Sequence, residues 1–69
     1  VGSPHERFFW ALKAAELGDS GAQASVGFCY LFGKCVEKSN SKAFSWFLKG
    51  ALQQNRNCLQ KIGYLYERG

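Results

Sequence analysis

Few side chains in this sequence have the type and spacing that chemistry requires. His5 is the single histidine, and it stands beside Glu6. With no second histidine to share a metal ion, it reads as a solvated residue of a first helical turn. The three cysteines, Cys29, Cys35 and Cys58, contain no C-x-x-C pair. They are too few, and odd in number, for a disulfide framework. Free cysteines pack as small apolar groups, so two buried helical thiols and one loop thiol are expected, which fits a reducing, cytoplasmic compartment. Cys35 has Lys34 and Lys38 for neighbours, and nearby cations favour a thiolate. It lacks the histidine and the oxyanion donors of a working nucleophile. The five acids, Glu6, Glu16, Asp19, Glu37 and Glu67, form no pair suited to acid–base work, and no glycine-rich phosphate loop is present. The expectation is a non-enzymatic chain with no catalytic residue, no metal and no cofactor.

Composition narrows the class further. Nine Lys and Arg against five Asp and Glu leave a formal charge of +4 over 69 residues. The basic residues are scattered, so no like-charged run marks a nucleic-acid tail. No apolar run approaches the ~18–20 residues of a membrane span. Of eleven aromatics, six Phe, three Tyr and two Trp, those at Trp10, Tyr30, Trp46 and Tyr66 fall on repeat core positions and are expected in the core rather than on a stacking platform.

The elements that position these residues follow from an internal repeat. Displaced by 36, Phe8 meets Phe44, Trp10 meets Trp46, Leu12 meets Leu48, Lys13 meets Lys49 and Ala15 meets Ala51. Gly27, Tyr30 and Gly33 likewise meet Gly63, Tyr66 and Gly69, with Val26/Ile62 and Phe28/Tyr64 as near matches. A fixed period of this size marks a stacked repeat array. The division is 1–21, the second helix of a preceding repeat; 22–57, one complete repeat; and 58–69, the first helix of a following, truncated one. The chain reads as a piece of a longer array, with Val1-Gly2-Ser3 compatible with a cloning remnant.

Four helices are predicted. The first starts at a capping box of Ser3 and Glu6 with Pro4 at its first position. It runs to about 17 and stops at Gly18. The second spans about 21–32, capped by Asp19 or Ser20 and ended by Gly33. The third spans about 40–53, capped by Ser39 or Asn40, with Asn55 able to turn left-handed after it. The fourth spans about 57–68 and ends at Gly69. Val36 should plug the 33–38 loop onto the core. Gly27 costs about 1 kcal/mol relative to Ala in mid-helix. Its reuse as Gly63 predicts a close helix approach. Short loops make neighbouring helices antiparallel.

These residues resemble the Sel1-like repeat family, relatives of the tetratricopeptide repeat. The family pattern A-x3-L-G-x2-Y-x2-G-x-G-V-x2-D-x2-K-A-x2-W-x2-K-A-A-x2-G is met by Ala22, Val26 (for Leu), Gly27, Tyr30, Gly33, Val36, Lys42, Ala43, Trp46, Lys49 and Ala51. The flanking half-repeats supply Trp10, Lys13, Ala14, Ala15 and Gly18, and Ile62, Gly63, Tyr66 and Gly69. The departures are Cys35 for the loop Gly, Ser39 for the capping Asp, Gly50 for an Ala, Gln54 for the helix-ending Gly and Cys58 for the opening Ala. If the loop Gly has positive φ, Cys35 must adapt or be strained. A cysteine-rich branch of the family pairs thiols at the Ala51-type and Cys58-type positions; with alanine at 51, that disulfide is absent. The resemblance implies an all-α, right-handed solenoid of antiparallel helix pairs that works as a protein–protein interaction scaffold or adaptor.

By the same resemblance the second and fourth helices line the concave face. Val26, Gly27 and Tyr30, with Ile62, Gly63 and Tyr66, take the core side. Gln23, Ala24, Phe28, Leu31, Phe32, Gln60, Lys61, Tyr64 and Arg68 become partner-binding candidates, with Phe28 as an anchor. The partner is a protein or peptide; nucleic acid fits poorly, because equivalent positions differ in type (Ser25/Lys61, Leu31/Glu67). Two alternatives are a helical-repeat RNA reader and a segment that self-assembles end to end through its apolar termini, by packing or domain exchange.

Overall fold

Asp19 opens the central helix of the molecule. Its backbone is extended, and its carboxylate accepts from the Ala22 N–H at 3.0 Å. That satisfies one of the donors a helix start leaves unpaired. The computed structural model describes residues 4–68, without the side chains of Pro4 and Arg68, so the Ser3 cap, the stop at Gly69 and the Arg68 guanidinium lie outside the described residues. Within them the chain forms α1 (Pro4–Glu16), α2 (Ser20–Phe32), α3 (Asn40–Ala51) and α4 (Arg56–Arg68), with no strand. Each helix packs on the next in sequence, giving a single row of antiparallel helices of about 37 × 23 × 15 Å.

Each turn has a physical stop. Gly18 (φ 100°) ends α1 and Gly33 (φ 70°) ends α2 in the left-handed region. In both cases the N–H beyond that glycine closes a bond back into the last turn, Asp19 to the Ala14 carbonyl at 3.1 Å and Lys34 to the Cys29 carbonyl at 2.9 Å. Gln54 does the same after α3 at φ 66°, with the Asn55 N–H reaching the Gly50 carbonyl at 3.1 Å. It therefore adopts the conformation that Gly18 adopts 36 residues earlier, at a cost of about 1–2 kcal/mol for a non-glycine. The left-handed residue is Gln54; Asn55 instead caps α4, its Oδ1 accepting from the Cys58 N–H at 3.2 Å. Ser39 is the cap of α3, accepting from Lys42. Cys35 is left-handed at φ 66°, the strained alternative that its glycine-like position implied.

The core lies between α2, α3 and α4. Phe47, Ala43 and Cys58 are wholly buried, with Ala24, Leu31, Ala51 and Leu65 around them. Gly27 lies under the Phe47 ring: a Cβ there would stand 2.8–2.9 Å from three ring carbons. The close approach predicted for Gly27 is real. At its twin Gly63 nothing lies within 4 Å, and Tyr66, expected on the core side, is 82% exposed. The reason is the number of neighbours. Among the described helices α2 has one on each side, whereas α4 packs chiefly on α3. It buries Cys58 and Leu65 and half-buries Ile62, the stripe displaced by 36 from Ala22, Val26 and Cys29.

Candidate protein-interaction surface

The predicted lining residues do not share one fate. Gln23 is buried, its Nε2 donating to the Ala15 carbonyl at 3.0 Å and its Oε1 accepting from Gln53 Nε2 at 2.9 Å. It ties α1 to the end of α3 with its amide paired on both sides, as a buried polar group must be. Ala24 is a core residue. Neither offers a surface to a partner, because α1 and α3 close over α2 from both sides. Phe28 is half-buried against the core, edge-on to Phe47 at 5.3 Å. Gln60 is exposed on α4.

Leu31, Phe32 and Tyr64 come together where the end of α2 and the start of α3 meet the second half of α4. Leu31, Phe32, Lys38, Asn40, Tyr64 and Leu65 line a cleft of about 180 Å³. Leu31 and Leu65 are buried and form its apolar floor, while Phe32 (60% exposed) and Tyr64 (46%) form its walls. Phe32 stacks on Phe28, rings parallel within 2° and centroids 6.0 Å apart. Phe28 in turn meets Phe47, so an aromatic row runs from core to surface and holds the Phe32 wall. The Lys61 ammonium lies 5.4 Å from the Phe28 ring centre and 5.7 Å from that of Tyr64, close enough for attraction to both ring faces. It bridges α2 and α4 beside the cleft, and Lys38 adds a second cation at the rim. Lys38 and Asn40 were missed as lining residues. They sit in a loop and a helix start, which helical periodicity does not place.

A second groove, of about 320 Å³, lies between the first half of α1 and the end of α2, lined by Arg7, Phe8, Ala11, Ser25, Cys29, Lys34 and Cys35. Phe8 meets Tyr30 edge-to-face nearby, at 5.9 Å. Burial first, and then the neighbouring Cys35, push the Cys29 thiol up, with Lys34 pulling the other way. His5 is exposed on α1. No group of three or more His, Cys, Asp or Glu that could hold a metal ion occurs among the described residues, and none of their helices is long and apolar enough to cross a membrane.

Antiparallel helices built on a 36-residue sequence period, each packed on the next, define a helical-repeat scaffold of the solenoid class. The chain belongs to the Sel1 repeat family, which matches residues 8–19 and 20–55. Sel1 repeats are non-catalytic helical solenoid repeats and generally protein–protein interaction modules. The chain is also similar to the chitin synthase regulator SKT5 of Saccharomyces cerevisiae, 33% identical over 58 residues, which is 84% of this chain but 8% of that protein. No solved structure matches it significantly.

Proposed function

We propose that this segment is an adaptor surface whose cleft takes a short peptide carrying one aliphatic or aromatic anchor flanked by carboxylates. The observation that carries the reading is the cleft's composition: a leucine floor, two exposed aromatic walls, and Lys38 and Lys61 at its edge. Apolar grooves of this kind take a side-chain anchor, and the two cations select the charge beside it. The yeast relative is a regulator of chitin synthase, itself a protein, which agrees in kind. Fluorescence polarisation with peptides carrying a single Leu or Phe among Asp and Glu tests the reading. Binding should weaken with salt, fall five- to thirty-fold in Phe32→Ala, about 1–2 kcal/mol, and fall less in Lys61→Gln. Equal binding by wild type and Phe32→Ala overturns it. Preferential binding of single-stranded RNA would instead support the nucleic-acid reading.

Self-assembly has its own observation. Trp10 (63% exposed) and Leu17 (89%) on and just after α1, and Leu59 (50%) and Tyr66 (82%) on α4, leave apolar faces on both outer helices. Because α1 repeats five residues of α3, α1 of one copy would sit on α4 of another as α3 sits on α2. Sedimentation should then show a concentration-dependent series rather than a closed dimer, since the contact is head to tail. A single monomeric species at high micromolar concentration excludes it.

A further inference from the structure

We propose that Cys29 and Cys35 form a reversible dithiol–disulfide pair that exchanges with an anionic small-molecule disulfide of the glutathione type, in the groove between α1 and α2. The two thiols are free, half-buried and line the same groove, whereas Cys58 is buried elsewhere in the core. The backbone brings them together. The Gly33 and Lys34 N–H groups both bond the Cys29 carbonyl, so the chain doubles back over the residue that carries the first thiol. Cys35 follows directly, in a left-handed conformation (φ 66°) unusual for a residue with a side chain. The far end of the loop is pinned by the Ser39 N–H on the Tyr30 carbonyl at 2.9 Å, so Cys35 is held near the end of α2 rather than free to leave it. Arg7 and Lys34 at the groove carry the charge that draws a carboxylate-bearing disulfide and its departing thiolate, over the apolar floor of Phe8 and Ala11.

The exchange balances without another reagent. The Cys35 thiolate attacks one sulfur of the glutathione disulfide; a Cys35–glutathione bond forms, the original S–S bond breaks, and one glutathione thiolate leaves and takes a proton. Cys29, harder to ionise than a free thiol because of its burial, is the resolving group. It gives its proton to solvent and attacks the Cys35 sulfur, releasing the second glutathione. Two protein thiols are oxidised and one disulfide is reduced to two thiols.

The test uses the full chain in a series of glutathione redox buffers, read by intact mass and by tryptic mapping. Cleavage after Lys34 separates the two cysteines, so their disulfide joins two peptides that are otherwise distinct. The expected product has lost two hydrogens and joins the Cys29 and Cys35 peptides, with Cys58 still a thiol. Cys35→Ser, with unchanged helicity, should give no loss of two hydrogens. The glutathione ratio for half-oxidation should shift by roughly tenfold or more when the chain is unfolded in urea, because only the fold holds the pair together. Stable double glutathionylation, cross-links to Cys58, or the same half-oxidation ratio in urea overturns the proposal.

Discussion

Replacing Phe47 with alanine is expected to unfold much of the population at room temperature. Phe47 is the largest fully buried side chain. Its ring lies on the Gly27 backbone and takes Phe28 edge-on at 5.3 Å and 81°. Truncating such a ring costs about 3–5 kcal/mol, and a domain of this size has only a few kcal/mol in total. Urea denaturation followed by helical circular dichroism measures the loss. The glycines provide the internal control. Gly27→Ala should destabilise, because its new methyl must displace a ring that has nowhere to go. Gly63→Ala meets nothing within 4 Å and should gain up to about 1 kcal/mol of helix propensity. If Phe47→Ala loses less than about 1 kcal/mol, or if the two glycines behave alike, the described α2–α3 contact is wrong.

The second large effect is a coupling. Gly50 and Cys58 face each other across α3 and α4: a Cβ built on Gly50 would overlap Cys58 Sγ, and would stand 3.2 Å from its Cβ and 3.6 Å from the Ser20 carbonyl. Cys58 is fully buried, and burial pushes its thiol up, so it stays a neutral apolar filler. Gly50→Ala alone should cost about 1–3 kcal/mol from overpacking, despite the helix propensity it gains. Cys58→Ala alone leaves a small cavity and should cost about 1 kcal/mol. Together they exchange the sulfur for a methyl in the same space, so the double variant should be at least as stable as the parent. The double-mutant cycle should show a coupling of about 2–4 kcal/mol. Additive losses would mean that the two positions are not complementary. The resemblance marked both as departures from alanine; the packing makes them a single exchange of volume between two helices.

The legibility of this chain follows the range of the interactions involved. The four helices lie within a residue or two of their predicted bounds, because propensity, caps and glycine stops act over three to five residues. Cys35 and Gln54 are identifiable as residues in glycine-like places because the family pattern supplies a comparison. The candidate surface is less readable. Helical periodicity assigns a face, but it does not say how many neighbours cover that face. Periodicity therefore sets Gln23 and Ala24 at a surface, although α1 and α3 enclose them. Periodicity gives no place to Lys38 and Asn40, although loop closure brings them to the cleft.

What the sequence by itself determined is the repeat: its 36-residue period, its all-helical class, its family and the positions of its stops, all carried by local chemistry and by identities between two halves of the same chain. What only the tertiary structure decided is occupancy. Gly27 lies beneath a phenylalanine ring while its twin Gly63 faces open space, and Tyr30 is half-buried while Tyr66 is exposed. The paired residues are identical, so the difference cannot reside in them. It resides in the helix that stands across from each, and a residue is buried only where another part of the chain removes its water.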